Sequence, residues 1–316
     1  MNVIQIKNSG PMMTVQDLGR PGMLHAGVSR CGPMDTPSFR LANALVGNSE
    51  DCGAIEFAMF GGSFVASVPV RIAVTGGMVD VKIDGVAVSP WESHWLQPQS
   101  QLTIGAMKGA VWGYLAISGG LNVPETLGSR STHIRTGLGG LDGRCLQKDD
   151  IIALGEAAPA PLLVQSHPRI FNGDVIRVVP GPQADYFDDE TWQIFLGQPF
   201  TISAKRDRMA QSLEGPRLKA VGGHDIVSDG TVFGSMQVPG SGQPLVLMAE
   251  RQTTGGYPKI ATVATVDLPK FAQTPTGASV RFVSISAEEA EELLIADRQA
   301  IKTSLAALAK KPDPAG

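Results

Sequence analysis

Between Glu250 and Lys259 the chain sets a carboxylate, the Arg251 guanidinium, the Gln252 amide, the Thr253 and Thr254 hydroxyls, the Tyr257 phenol and the Lys259 amine around the pair Gly255-Gly256. This is more functional-group density than a connecting loop needs. Glycine lets a backbone approach a ligand closely, so the segment suits anion binding and the stabilisation of developing negative charge. Two plainer readings stand beside that one. Tyr257 also fits a core aromatic whose hydroxyl finds a backbone partner, and Glu250 also fits an ion-pair partner of Arg251 or Arg208.

Two further polar clusters are bracketed by glycine and proline. Thr14-Val15-Gln16-Asp17-Leu18-Gly19-Arg20-Pro21-Gly22 holds Gln16, Asp17 and Arg20 on a shaped loop. Asp17 and Arg20 there either tie the loop down or each present a charge to a ligand. Gly128-Ser129-Arg130-Ser131-Thr132-His133-Ile134-Arg135, followed by Gly137 to Arg144, combines guanidinium forks with hydroxyl donors, a combination that matches carboxylate or phosphate oxygens. A solvated loop with Arg144 capping a neighbouring carbonyl is the bland alternative.

Other chemistries lack support. There is no G-x-x-x-x-G-K-[ST] loop, and Asp142 stands where a dinucleotide fingerprint in Gly137-Leu138-Gly139-Gly140-Leu141-Asp142 would need its third glycine. His25, His94, His133, His167 and His224 show no metal-binding spacing, so no metal site is expected. No serine sits in a G-x-S-x-G elbow. Ala106-Met107-Lys108-Gly109 is close to a biotin-attachment tetrapeptide, but its fourth residue is Gly, and Lys108 reads as a hairpin-turn lysine. With a net charge of -4, the chain lacks the positive field that draws nucleic acid or anionic membranes. The odd cysteines Cys31, Cys52 and Cys145 fit small buried residues in a reducing compartment, and no cationic leader or long apolar run is present, so a cytoplasmic location is expected.

The elements that must position these groups are mostly strands. Val70–Val74, Val79–Ile83, Leu102–Ile104, Trp112–Ile117, Ile151–Leu154, Val175–Val179, Leu245–Met248 and Val280–Val283 are short and rich in β-branched residues, and Asp84-Gly85 signals a hairpin. With 37 Gly and 22 Pro punctuating closely spaced strands, the fold is expected to be mainly β, a barrel or sandwich. Helices are expected from Thr36 to Gly47, from Pro182 to Gly197, and from Ser286 behind a capping box, the last packing through Ala290, Leu293, Leu294, Ile301 and Leu305, more loosely past Asp297. Ala157-Ala158-Pro159-Ala160-Pro161 reads as a linker. The expected domains are 1–156 and 172–300, with a helix end and flexible tail over 301–316.

The order of motifs resembles the family of the C subunit of 5-oxoprolinase, which shares its fold with the second subunit of allophanate hydrolase and the carboxyltransferase region of urea carboxylase. The resemblance spans residues 3–285 and rests on the Gln16 to Arg20 loop, the Asn43 to Asn48 helix end, Gly128-Ser129-Arg130-Ser131-Thr132 and Gly139-Gly140-Leu141-Asp142-Gly143-Arg144. It continues through Pro180-Gly181-Pro182, Arg208-Met209, Leu213-Glu214-Gly215-Pro216, Gly234-Ser235-Met236-Gln237-Val238-Pro239 and Gln252-Thr253-Thr254-Gly255-Gly256-Tyr257-Pro258. It implies two cyclophilin-like β-barrel domains. One segment departs: where the family often carries a Ser and Asp run before Arg-Met and then Gly-Tyr-Arg, this chain has Ala204 to Ser212, which points to a divergent substrate or subfamily.

A protein of that family would belong to an ATP-dependent enzyme that opens the lactam of 5-oxoproline to glutamate, with ATP as co-substrate, with or without Mg, and no covalently attached biotin. Its expected partners are subunits A and B and a small cyclic amide, with neither nucleic acid nor membrane. On this resemblance Lys259, Tyr257 and Glu250 are the candidate catalytic residues. Gln16, Asp17, Arg20, Arg130, Ser131, Gln252, Thr253, Gly255 and Gly256 are the candidate substrate contacts. Two alternatives stay open: a biotin-dependent carboxyltransferase acting on urea or a related amide, and a non-catalytic regulator that binds a kinase-inhibitor partner.

Overall fold

The computed structural model describes residues 2–311. The chain is mainly β and divides into two compact units. The first takes the chain up to Arg20, Cys31–Ile170 and Ala300 onward; the second takes Pro21–Arg30 and Phe171–Gln299. Residues 21–30 thus leave the N-terminal strands to join the second unit, where the Ser29 hydroxyl donates to the Arg251 carbonyl. Ala157–Pro161 stays with the first unit rather than linking the two, since Arg71 Nη2 donates to the Ala158 carbonyl at 2.6 Å.

In the first unit the strands are β1 (Val3–Ser9), β2 (Thr14–Gln16), β3 (Ala54–Ala58), β4 (Phe60–Ala66), β5 (Val70–Thr75), β6 (Met78–Ile83), β7 (Val86–Val88), β8 (Ser93–Leu96), β9 (Gln101–Lys108), β10 (Trp112–Ile117), β11 (Ile151–Ala153) and β12 (Leu163–Val164). They form a six-stranded sheet in the order β11-β1-β4-β9-β6-β7 and a five-stranded sheet in the order β2-β3-β10-β5-β8. Alternation does the sorting: in β6, Val79 and Val81 turn inward while Met78, Asp80 and Lys82 turn out. The inward residues join Ile4, Ile6, Phe57, Phe64, Leu102, Leu115 and Ile117 in one core. Asp84 and Gly85, at φ of 50° and 82°, make the hairpin turn with the left-handed pair that suits the strand twist. Helix α1 (Thr36–Leu45) starts at Asp35, whose carboxylate accepts from Ser38 N at 3.1 Å, and carries Pro37 in its first turn.

The second unit closes seven strands into a barrel, in the order β13 (Val175–Pro180), β20 (Lys259–Val263), β17 (Ser235–Gln237), β18 (Leu245–Leu247), β15 (Ala210–Glu214), β14 (Phe200–Arg206) and β21 (Ser279–Ser284). The short pair β16 (Asp229–Gly230) and β19 (Thr254–Gly255) lies apart from it. The second expected helix breaks into a 3-10 turn at Ala184–Tyr186 and α2 (Asp189–Gly197), because Asp188 caps the Thr191 amide at 2.9 Å and so starts the helix there. Phe195 of α2 stacks on Phe282 at 5.0 Å between ring centroids. Helix α3 (Leu268–Gln273) has no counterpart in the sequence pattern; Arg206 donates to its terminal carbonyls at Ala272 and Thr274.

Helix α4 (Ala287–Ala306) begins at the expected capping box, with Glu289 Oε2 accepting from Ser286 N at 2.8 Å and Ser286 Oγ from Glu289 N at 3.1 Å. None of its residues is fully buried, so its apolar positions do not form the packed stripe the pattern suggests. The tail expected to be flexible is ordered at its start. Ala309–Lys310 forms strand β22 against β12, and Lys311 Nζ reaches Glu92 at 2.9 Å and His94 Nδ1 at 3.2 Å. The rest of that tail, residues 312–316, lies outside the described residues. Among the described residues no helix is long and apolar enough to cross a membrane.

Candidate functional site

In the first unit the fold brings together two loops far apart in sequence. Strand β2 delivers Gln16, and the turn after it carries Asp17. Asp17 Oδ1 accepts from Ser129 Oγ at 2.5 Å, Ser131 Oγ at 2.7 Å and Gly19 N at 2.9 Å, and Oδ2 accepts from Arg130 N at 2.5 Å. Burial pushes the Asp17 carboxyl up, but these four hydrogen bonds outweigh it and hold the group below its ordinary value. Its acceptor sites are committed to holding the 129–131 segment. Arg20 is 1% exposed; its Nη2 donates to the Ser131 carbonyl at 2.5 Å and its Nε reaches the Thr126 carbonyl at 3.4 Å. Gln16 Nε2 donates to Thr14 Oγ1 at 3.0 Å and to the Thr132 carbonyl at 3.3 Å.

The remaining groups of these loops turn outward or pair locally. The Arg130 guanidinium meets Glu125 at 2.7 Å near the surface, and Ser131 serves Asp17. Arg144 forks onto Asp150 at 2.8 Å from each Nη, an internal bidentate pair. Lys108, at the end of β9, pairs with Asp80 at 2.6 Å on the surface.

In the second unit the Glu250 to Lys259 segment resolves into two parts. Glu250 Oε1 accepts from Arg208 Nε at 2.6 Å, and Glu250 N donates to the Arg208 carbonyl at 2.7 Å, with both side chains buried. Glu250 thus anchors the turn before β15. Lys259, at the head of β20, is 1% exposed, and its Nζ lies 2.9 Å from Asp229 Oδ2. The contact has the length of an ion pair but not the alignment of a hydrogen bond, so the ammonium keeps donors to offer. Lys259 and then Gln183, whose Nε2 donates to Asp229 at 3.3 Å, hold the Asp229 carboxyl below its ordinary value. Gln183 also fixes the strand end, since its Oε1 accepts from Lys259 N at 3.2 Å.

Around this pair, Gly255 pairs with Asp229 across β16 and β19, and a side chain there would meet Gln237 Nε2 at 2.2 Å. That close approach is the reason for glycine. Gln252 is exposed, Tyr257 is 40% exposed, and Thr253 and Gly256 contribute carbonyls to the Thr231 and Ile226 amides. Asp229 and Gln183 went unread in the sequence, and Gln237 was read only as part of a motif. Asp229-Gly230 looks like any turn, and only its pairing with Gly255 brings it to Lys259. Among the described residues no group of three or more His, Cys, Asp or Glu is placed to hold a metal ion.

The resemblance to known proteins runs along most of the chain. The family described as carboxyltransferase domain, subdomain A and B, matches residues 26–284, and the chain belongs to it. Within that family it is 36% identical over 291 residues to the C subunit of 5-oxoprolinase from Escherichia coli strain K12, covering 91% of this chain and 93% of that protein. The protein of the same name from Haemophilus influenzae is 34% identical over 300 residues, 93% and 94% of the two chains. The crystal structure of Kluyveromyces lactis urea carboxylase superposes with a TM-score of 0.89 at 28% identity over 96% of this chain, which spans 29% of that one.

Proposed function

We propose that this chain is the C-type component of a 5-oxoprolinase complex, acting in the ATP-dependent opening of 5-oxoproline to glutamate. The observation that carries the reading is the match to the C subunit of Escherichia coli 5-oxoprolinase across nearly the whole of both chains. Lactam hydrolysis is uphill, and ATP would supply the drive by phosphorylating the amide oxygen: the ring carbon becomes a better electrophile, water adds to it, the ring C–N bond breaks with the amine leaving, and phosphate is released by hydrolysis of the resulting acyl phosphate.

One first-turn amide in each of α1, α2 and α4 is met by a cap, Ser38 N by Asp35, Thr191 N by Asp188 and Glu289 N by Ser286, and Asp267 before α3 is bound by Arg177 at 2.6 Å. No step through nucleotide is assigned to this chain, and phosphate chemistry is assigned to the complex with subunits A and B. What the chain offers is anion binding and orientation. Lys259 keeps donors for a phosphate or carboxylate oxygen, Gln252 and Tyr257 present an amide and a phenol, and Gly255 and Gly256 admit close backbone approach. Glu250 and Asp17 hold the two clusters in shape through Arg208 and Ser131.

A second reading is favoured by the Kluyveromyces lactis superposition: transfer of a carboxyl group from carboxybiotin on a partner to an amide nitrogen. One experiment separates them. The chain is mixed with its candidate partner subunits and 5-oxoproline, and glutamate is measured with and without ATP. ATP-dependent glutamate that requires this chain supports the oxoprolinase reading. An assembled complex that releases none overturns it, and consumption of carboxybiotin by that complex supports the second.

A further inference from the structure

Arg20 is a buried guanidinium without a carboxylate. Its contacts among the described residues are the Ser131 and Thr126 carbonyls, and its Nη1 has no hydrogen-bond partner. A buried charge left in this state is costly unless an anion completes it. Gln16, with no exposed surface, presents the complementary gap: its Nε2 is used, and its Oε1 has no donor among the described residues. The two side chains flank one dipeptide, Gln16 on the Thr132 carbonyl and Arg20 on that of Ser131. Over this dipeptide lies the glycine segment. A side chain at Gly139 would meet the Ser131 carbonyl at 2.2 Å and Arg20 Nη2 at 2.8 Å, and one at Gly140 would meet Thr132 Oγ1 at 2.0 Å.

We propose that Arg20 Nη1 and Gln16 Oε1 form a covered receptor for a small organic carboxylate that carries an N–H donor beside its charge, admitted when the 139–140 backbone lifts. The acceptor is what decides the class. Near neutral pH a phosphate ester offers this corner mainly acceptor oxygens and would leave Gln16 unanswered, whereas a carboxylate with a neighbouring N–H answers both. The choice of 5-oxoproline as first probe rests on the oxoprolinase reading; the receptor itself does not.

Calorimetric titration of the full chain would use 5-oxoproline, 2-pyrrolidinone, which lacks the carboxylate, and cyclopentanecarboxylate, which lacks the N–H. The expected order is 5-oxoproline tightest, with either analogue weaker. Arg20→Gln should weaken 5-oxoproline by roughly ten- to a hundredfold, with partial recovery in Arg20→Lys. Gln16→Met should abolish the preference for 5-oxoproline over cyclopentanecarboxylate while leaving carboxylate binding in place. Exchange of the amides at residues 137–143 should slow when 5-oxoproline binds. Equal binding of 5-oxoproline and 2-pyrrolidinone, or no binding of any N–H-bearing carboxylate in a panel extended to proline and N-acetylglycine, overturns the receptor. Arg20-dependent binding of proline or N-acetylglycine with no binding of 5-oxoproline keeps the receptor and counts against the oxoprolinase reading. Full ATP-dependent glutamate release by the complex containing Arg20→Gln does the reverse.

Discussion

Asp17 Oδ1 accepts a hydrogen bond from Ser131 Oγ at 2.7 Å across 114 residues of chain, and the same carboxylate holds Ser129 Oγ and the Arg130 amide. One side chain therefore sets the position of the loop on which Arg20 also rests. Asp17→Ala would leave those donors buried without an acceptor, and it should destabilise the chain by about 2–4 kcal/mol, read as a lower urea midpoint. The effect has a pH signature. The Asp17 carboxyl is held below its ordinary value, so its contribution is complete above the unfolded value of 3.8 and is lost as pH falls through the folded one. Asp17→Asn should flatten that acid limb of the stability curve.

Lys259 and Glu250 look alike in sequence, charged residues flanking a glycine pair, yet their partners differ in a way that separates function from support. Glu250 and Arg208 are both buried, so Glu250→Ala removes the carboxylate of a buried ion pair and should cost about 3–5 kcal/mol. Asp229 is 49% exposed on its side chain, so Lys259→Met leaves it to water and should change stability by less than about 1 kcal/mol. The same Lys259→Met substitution should reduce kcat/KM of the assembled complex by roughly a hundredfold or more. Thermal midpoints alongside turnover would check both. Full activity of the Lys259 variant would remove it from the site.

Legibility followed the range of the forces involved. The Asp84-Gly85 hairpin, the Ser286 capping box and α1 behind Asp35 rest on neighbours in sequence, and each was readable there. Helix α3 was not, since its six residues carry too little periodicity and its end is satisfied by Arg206 from a distant strand. The candidate site split in the same way. Gln16, Asp17, Arg20 and Lys259 stood out by type, but Asp229 and Gln183 reach Lys259 only through strand pairing and a turn. The expected flexibility failed at the described start of the tail, Ala309 to Lys311, for a similar reason, because a two-residue strand against Leu163–Val164 leaves no composition signal.

His94 and Lys311 supply a test of that C-terminal attachment. His94 Nε2 faces the Ser89 carbonyl at 2.8 Å and Glu92 at 3.4 Å, while Lys311 Nζ lies 3.2 Å from Nδ1. Burial lowers the His94 pKa; the Ser89 carbonyl and Glu92 oppose the shift and Lys311 adds to it. The unfolded state then binds a proton more readily than the folded one just below pH 6.5, so stability falls as pH drops through that value toward the lower folded one. His94→Asn should weaken this dependence between pH 7.5 and 5.5 in urea titrations, and wild-type protein should lose protection of the residue 311 amide over the same interval.

Gln211 offers the clearest stability gain. It has no exposed surface and sits opposite Val246, itself opposite Met236, on the same face of β15 as Leu213, so its amide projects among apolar barrel residues. Neither its Nε2 nor its Oε1 has a hydrogen-bond partner among the described residues. It lies in the Ala204 to Ser212 stretch where this chain departs from the family pattern, beyond Arg206, which donates to the α3 carbonyls, and Arg208, which pairs with Glu250. Since an unmet buried amide costs more than an apolar side chain of like length, Gln211→Met should stabilise the second unit by about 1–3 kcal/mol. A higher urea midpoint with unchanged slope would bear this out. A loss of stability would mean that the amide is met inside the barrel by an ordered water or a small polar ligand, and density beside Gln211 in a high-resolution crystal structure would identify which.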